Sequence, residues 1–181
     1  MFDFDYFGRR MKQREAKGGI ARLDVYEDSE GYKTVGWGHK VTPADNLELG
    51  DQISMDRAIE FFEKDLSAAL SITNDAPWIV NLPAPKRFVM HDMAFNMGYA
   101  KLKGTVPKGF KNFFHNMKMY SQYRTGHLKK YYSERAAAEM KMVDPFGGDR
   151  STTRYWNQTG TRAKENYKYI LDDSIPLMEY P

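Results

Sequence analysis

The fold of this chain is decided by one stretch, residues 23–39, which reads LDVYEDSEGYKTVGWGH. Apolar and polar residues alternate on both sides of an acidic segment at residues 27–31. Alternation with a period of two is typical of a half-buried strand, and an acidic, glycine-containing segment between two such strands is typical of a hairpin turn. The stretch therefore predicts a small antiparallel sheet.

The same stretch concentrates polar side chains that can carry chemistry, namely Asp28, Glu30, Thr34 and His39. Side chains at alternate positions of a strand share one face, so carboxylates and a hydroxyl group are expected to converge there. Cleavage of a glycosidic bond requires one carboxyl group that protonates the leaving oxygen and one carboxylate that directs water. Asp28 with Thr34 suits the second role, although an acidic turn that only meets solvent is also consistent with the pattern.

Helical patterns precede and follow the hairpin. A first helix is predicted over residues 2–17, and the pair Gly18 and Gly19 ends it. A second helix is predicted over residues 54–72, because Ser54 can cap it and apolar residues follow at helical spacing.

The remainder of the chain is predicted to be mostly helical. A buried helix ends at Gly98, and shorter helices are expected near residues 109–122, 126–140 and 161–172. The expected architecture is an α+β fold in a single domain, with a β-containing lobe over about residues 1–53, a connecting helix over 54–72 and a helical lobe over 73–181. A cleft between two such lobes suits an extended substrate.

Composition excludes several classes of protein. Hydrophobic residues make up 41% and aromatic residues 14% of the chain, which is enough to build a core and too much for a disordered chain. Cysteine is absent, which excludes disulfides, thiolate metal sites and a cysteine nucleophile. No apolar stretch is long enough to span a membrane, and the N-terminus lacks the pattern of a secretion signal, so synthesis in the cytosol is expected.

The formal net charge is only +3, but lysine and arginine are concentrated in the C-terminal half. A basic face can bind nucleic acid, anionic lipid or an acidic cell-wall polymer, or it can simply be a solvated surface. No nucleic-acid-binding motif accompanies the charge, and the histidines lack the spacing of metal ligands. Neither nucleic acid nor a metal ion is therefore expected to bind.

Three further segments of the sequence are considered together with the hairpin, namely residues 54–69, DMAFNMG at 92–98 and RYWNQTGTRAK at 154–164. In this order, the four segments resemble the active-site hairpin, the interlobe helix, the central buried helix and the C-terminal signature of phage-type lysozymes, glycoside hydrolase family 24. The resemblance spans most of the chain and covers residues 1–13, 99–108 and 141–152 poorly.

The resemblance implies a lysozyme-like fold and an enzyme that hydrolyses peptidoglycan in bacterial lysis. More specifically, it implies a muramidase that cleaves the β-1,4 bond between N-acetylmuramic acid and N-acetylglucosamine with inversion. No cofactor or metal is expected, and the expected partner is bacterial peptidoglycan, bound by a monomer without nucleic acid or membrane insertion. The expected location is the host cytoplasm, from which the enzyme reaches the wall in the periplasm through a separate pore.

Carried over position by position, the resemblance places the family's catalytic aspartate on Asp28 and its water-holding hydroxyl group on Thr34. The substrate-binding residues that it implies are Glu30, Tyr32, Phe95 and Arg162. Of these, Phe95 also suits core packing. The resemblance further implies a structural pair between His39 and Asp65, which joins the hairpin to the connecting helix.

The general acid is where the sequence departs from the family. In the family it is a glutamate seven residues before the tyrosine that corresponds to Tyr26, and Gly19 occupies that position here. Glu15 is the nearest carboxylate upstream. In a continuous helix, its four-residue offset would add about 6 Å of rise and turn the side chain by about 40°.

Three hypotheses about the acid remain open. In the first, Glu15 is the acid, a break in the helix at residues 16–20 brings it into place, and it pairs with Arg162 as the family's acid does. In the second, Asp24 or another acid has replaced it. In the third, the protein has kept the fold and lost catalysis, and it serves as a glycan-binding or virion structural component.

Overall fold

The computed structural model describes residues 3–146 and 151–177. They fall into two compact units, which we call the hairpin unit, residues 3–68, and the helical unit, which begins at Ala69. Within the described residues, no helix combines the length and the apolar character that a membrane crossing requires.

Helix α1 spans Phe4–Glu15 and opens the hairpin unit. Asp3 caps it, because its carboxylate accepts a hydrogen bond from a backbone N–H of the first turn at 2.8 Å. Phe7 and Met11 lie one helical turn apart and are fully buried, which gives the helix an inner face. The helix is confirmed, although its predicted first residue, Phe2, lies outside the described residues.

The chain leaves the helix immediately after Glu15. Ala16 is extended, with φ −136° and ψ 139°, and Lys17–Gly19 forms a single 3-10 turn. Gly18 and Gly19 have φ angles of 71° and 73°, in the left-handed region that favours glycine. The predicted break at residues 16–20 is therefore confirmed, and the two glycines are its physical cause.

A three-stranded antiparallel sheet follows, in the order β1 Arg22–Glu27, β2 Lys33–Gly36 and β3 His39–Lys40. Tyr26 pairs with Thr34 across β1 and β2, and Thr34 pairs with Lys40 across β2 and β3. An apolar cluster supports the sheet and contains Val25, Val35 and Phe61, with Val41, Leu47 and Ile53 packed against it. The predicted hairpin sheet is confirmed.

Helix α2 spans Met55–Leu70. As the sequence predicts, Ser54 caps it, because the Ser54 hydroxyl oxygen accepts a hydrogen bond from the Arg57 backbone N–H at 3.1 Å. The division between the two units falls inside this helix, between Ala68 and Ala69.

The helical unit contains α3 Ile72–Asp75, a 3-10 turn at Pro77–Asn81, α4 Ala84–Met97, α5 Tyr99–Lys103, α6 Lys111–Gln122, α7 His127–Lys141, α8 Arg154–Thr159 and α9 Thr161–Leu171. The longer helices match the sequence-based predictions to within a few residues at each end. The sequence does not predict α3, α5 and α8, because one or two turns of helix are too short to show a hydrophobic period.

Helix α4 is buried on nearly all of its sides, and Phe88, Met90 and Met93 are wholly inaccessible to solvent. A helix that is buried on nearly all of its sides lies in the core of its unit. The predicted α+β class is confirmed, since a small antiparallel sheet near the N-terminus is followed by helices. The arrangement of lobes and cleft stays a prediction.

Candidate active site

Asp28 occupies the turn between β1 and β2 and is held by backbone donors. One of its carboxylate oxygens accepts hydrogen bonds from the N–H groups of Glu30 at 2.8 Å and Tyr32 at 2.9 Å. Its other oxygen lies 3.4 Å from the Thr34 hydroxyl group, which also lies 3.1 Å from the Tyr32 carbonyl oxygen. The turn therefore fixes the carboxylate, and within the described residues its second oxygen has only the long contact to Thr34.

The environment of Asp28 favours its ionised form. Partial burial alone would raise the pKa of Asp28, but the N–H groups of Tyr32 and Glu30, the charge of Lys40 and the hydroxyl group of Thr34 together lower it below its usual value of 3.8. Asp28 is therefore ionised at neutral pH, as a carboxylate that directs water or stabilises positive charge must be.

Glu15 is the last residue of α1, and its carboxylate lies against the turn between β2 and β3. A Cβ atom added to Gly38 would stand 3.2 Å from Oε2 of Glu15, which is closer than most real contacts. Gly38 also has a φ angle of 87°, in the left-handed region. Glycine at this position thus allows both the turn and the close approach of the Glu15 carboxylate to the hairpin backbone.

Trp37 fixes the segment that follows Glu15. Its indole N–H donates a 2.7 Å hydrogen bond to the Gly19 carbonyl oxygen. Its ring packs edge-on against Phe62 at 5.4 Å, and the Lys12 ammonium group lies 4.4 Å from the ring centroid. Because Trp37 contacts both α1 and the glycine turn, it holds the end of α1 beside the hairpin.

Glu15 and Asp28 both act on the phenol of Tyr26. Burial is the main cause that raises the pKa of Tyr26, the positive charge of Arg22 opposes it, and the negative charges of Asp28 and then Glu15 raise it further. The two carboxylates are therefore both within electrostatic reach of one side chain on β1.

Asp24, the alternative acid, is paired. The Arg22 guanidinium group binds it with Nε 3.1 Å from each carboxylate oxygen and Nη2 2.7 Å from Oδ2. These hydrogen bonds are the main cause that lowers the pKa of Asp24. A carboxylate that is stabilised in its ionised form is a poor proton donor at neutral pH, so the geometry disfavours Asp24 as the acid.

The model of one protein family, described as phage lysozyme, matches residues 16–139, about two thirds of the chain. The chain belongs to the phage lysozyme family. It is therefore assigned to the lysozyme-type peptidoglycan hydrolases, glycoside hydrolases that act on the bacterial cell wall. The match includes Asp28 and Thr34, begins one residue after Glu15 and ends before Arg162. The roles of Glu15 and Arg162 thus rest on sequence pattern and geometry.

The pair between His39 and Asp65 is confirmed, with Nδ1 of the ring 2.8 Å from the carboxylate. The sequence does not predict the second partner, Asp45, whose carboxylate lies 3.3 Å from Nε2. The ring also stacks on Phe61 at 4.1 Å. Burial alone would lower the pKa of His39, but the hydrogen bonds and charges of Asp65 and Asp45 raise it above 6.5.

Arg162 is buried within the helical unit and pairs with Asp92. Its Nη2 atom lies 2.9 Å from one carboxylate oxygen, and its Nε lies 3.1 Å from both. Asn166 donates to the same carboxylate at 2.5 Å and to the Tyr155 hydroxyl group at 2.7 Å. The sequence carries a signal for this pair, because Asp92 is a charged residue within a segment whose apolar spacing predicts a buried helix. The predicted pairing of Arg162 with Glu15 stays a prediction.

The remaining predicted binding residues are at least partly accessible. Glu30 and Tyr32 are exposed on the hairpin, and both donate their backbone N–H groups to Asp28. Phe95 lies on α4 and is half-buried. The ring of Trp156 packs edge-on against the ring of Tyr167, with the ring centroids 5.6 Å apart. In the part of the chain that the structure describes, no three histidine, aspartate or glutamate side chains are grouped closely enough to hold a metal ion.

Proposed function

We propose that the protein is a muramidase, which hydrolyses the β-1,4 bond between N-acetylmuramic acid and N-acetylglucosamine in peptidoglycan. The proposed general acid is Glu15, and the proposed water-directing carboxylate is Asp28. One observation carries the proposal, which is that the break after α1 places the Glu15 carboxylate against Gly38 of the hairpin that also holds Asp28. In this proposal, the break in the local backbone compensates for the four-residue offset in the sequence.

In the proposed reaction, the protonated Glu15 carboxyl group donates its proton to the leaving glycosidic oxygen. Asp28 accepts a proton from a water molecule as that water attacks the sugar carbon from the opposite face. The Thr34 hydroxyl group has one hydrogen and two lone pairs, so it can hold this water while it remains in contact with Asp28. Attack from the opposite face inverts the configuration at that carbon.

The substrate-binding roles of Glu30, Tyr32, Phe95 and Arg162 are part of the same proposal, as is action by a monomer. We also propose that the protein is made in the cytoplasm of an infected host and reaches the periplasm through a separate pore. The family assignment supports the wall as the site of action, and the pore and the cytoplasm are inferred from the resemblance.

A second candidate is a catalytically inactive member of the family that binds glycan or forms part of a virion. One observation favours it, since Gly19 stands where the family's acid is expected. The close approach of the Glu15 carboxylate to the hairpin favours the first candidate, because it supplies a carboxyl group beside the hairpin that carries Asp28.

The two candidates are separated by digestion of purified cell walls. The released fragments are reduced with borohydride, and the reduced ends are identified by mass spectrometry. A muramidase yields reduced N-acetylmuramic acid ends, and an inactive binder yields none. Reduced N-acetylglucosamine ends would contradict the proposed bond. The anomer that appears first in proton NMR of the digest tests inversion.

A further inference from the structure

Lys40 lies on the active-site face of the sheet. It is the cross-strand partner of Thr34, and directly opposed residues of an antiparallel pair project to the same face. Thr34 in turn contacts the Asp28 carboxylate. The positive charge of Lys40 is one of the causes that lower the pKa of Asp28, which places the ammonium group within electrostatic reach of that carboxylate.

The hairpin at residues 22–40 carries three lysine or arginine side chains, and two of them are paired with a carboxylate. Arg22 binds Asp24, and Lys33 binds Glu48. Lys40 differs, because its ammonium group lies 3.8 Å from the centroid of the Tyr32 ring and, among residues 3–146 and 151–177, forms no ion pair. The contact with an aromatic face steadies the ammonium group without neutralising its charge.

Both members of this contact are accessible to a ligand. Lys40 is exposed, and half of the Tyr32 side-chain surface, 51%, is open to solvent. An accessible cation beside a site for a glycan favours a negatively charged group on that glycan. The sugar rings of peptidoglycan are neutral, and the negative charges of the uncleaved polymer are the carboxylates of its peptide stems.

We propose that Lys40, steadied by Tyr32, is a specificity-determining residue that binds a peptide-stem carboxylate of the glycan next to the bond that is cleaved. This inference rests on the proposed function, because it takes the Asp28 face of the hairpin as the site of reaction. It predicts that the protein discriminates between glycan strands with free and with blocked stem carboxylates.

The test compares two substrates that differ only in charge. Uncross-linked glycan strands with intact peptide stems are used as isolated or after their carboxylates have been coupled to methylamine with a carbodiimide. For the wild type, blocking the carboxylates is expected to raise KM about tenfold with kcat nearly unchanged, the size of one charge-assisted contact. Lys40→Met is expected to show the high KM on both substrates, and Lys40→Arg to keep the preference.

Lys33→Met is the matched control, because it removes the same charge from the same hairpin at a lysine that is already paired with Glu48. It is expected to keep the wild-type preference. Unchanged preference in Lys40→Met, or equal loss in Lys33→Met, would contradict the proposal. A wild type that treats both substrates alike would also contradict it.

A failure of the proposed function can be distinguished from a failure of the proposed role of Lys40. The same variants are therefore also made in a Glu15→Gln background, and their binding to the two kinds of strand is measured by equilibrium dialysis. If the wild type cleaves neither substrate, the proposed function is wrong. Binding by the Glu15→Gln proteins then still decides whether Lys40 selects the free carboxylates.

Discussion

The two units of the protein use aspartate in opposite ways. Asp28 in the hairpin unit is held by backbone N–H groups and partly exposed, and one of its oxygens makes a long contact with Thr34. Asp92 in the helical unit is fully buried, and Arg162 and Asn166 occupy both of its oxygens. Backbone donors hold a carboxylate in place and leave one of its oxygens available for reaction, whereas the side-chain partners of Asp92 occupy both oxygens.

A second cluster in the helical unit repeats the pattern of Asp92. Lys86 is 1% exposed, and its ammonium group pairs with Asp173, which also accepts a hydrogen bond from the Tyr120 hydroxyl group. Burial lowers the pKa of Lys86, while Asp173 opposes that shift. These polar groups satisfy one another inside the unit, which indicates a structural role.

The comparison predicts that the Asp28 carboxylate contributes strongly to wall hydrolysis and little to the free energy of unfolding. In Asp28→Asn, the amide oxygen can still accept the two backbone N–H groups, but the side chain cannot ionise. Wall hydrolysis is expected to fall by about 10²–10⁴-fold, and urea unfolding is expected to match the wild type closely. Substantial residual activity in a fully folded variant would mean that the family's aspartate has been carried over to the wrong residue.

Asp92 should show the opposite behaviour. Asp92→Asn removes the carboxylate charge that pairs with the buried Arg162 guanidinium group, and loss of one partner of a buried ion pair lowers the free energy of unfolding by about 3–5 kcal/mol. Urea unfolding monitored by circular dichroism measures the change. Asp144→Asn, at an exposed position of the same unit, is the control and is expected to be close to neutral. A stability equal to that of this control would show that the buried pair contributes little.

Gly38 tests whether the approach of Glu15 to the hairpin has a function. Gly38→Ala introduces a Cβ atom at a positive φ and 3.2 Å from the Glu15 carboxylate. Gly50→Ala is a matched control, with a φ of 89° and no atom near the new Cβ. Both variants are expected to lose about 1–2 kcal/mol of stability from the left-handed backbone, and only Gly38→Ala is expected to lose most of its wall hydrolysis. Equal activity of the two variants would argue against a role for this contact.

A final, pH-dependent effect on stability is expected for His39. The pKa of folded His39 lies above 6.5, so its stabilisation is complete below about pH 6.5 and disappears as the pH rises through the folded value. His39→Asn should therefore lower stability by roughly 1.5–3 kcal/mol in mild acid, the range for a hydrogen bond to a charged group, and by less in mild alkali. Parallel unfolding curves for both proteins at every pH would contradict the ion pair.

Much of this structure follows from the sequence, and the exceptions have physical reasons. The alternation around residues 27–31 predicts the sheet, and the long apolar periods predict α2, α4, α6, α7 and α9. The glycines at 18 and 19 predict the break after α1. The short helices carry too few residues to show a period.

Some contacts of the candidate site can likewise be predicted from the sequence, and others cannot. Asp28 and Thr34 lie six residues apart in one hairpin, so their contact can be predicted from the sequence. The contacts of Trp37 with Gly19 and of Glu15 with Gly38 join residues about twenty positions apart. They depend on how α1 packs on the hairpin, which no local pattern specifies. The second partner of His39 is Asp45, which lies in the segment between β3 and α2, and no local pattern predicts this contact either.

The central claim is that Glu15 is the general acid despite its offset in the sequence, and one assay tests it most directly. The release of reducing ends from purified cell walls is measured for the wild type, Glu15→Gln and Asp24→Asn, together with the fraction of each protein that cosediments with the walls. Glu15→Gln is expected to bind the walls as the wild type does and to release no reducing ends above background. Asp24→Asn is expected to retain most of the activity, because Arg22 already holds Asp24 in its ionised form. Wild-type turnover by a folded Glu15→Gln protein would contradict the account.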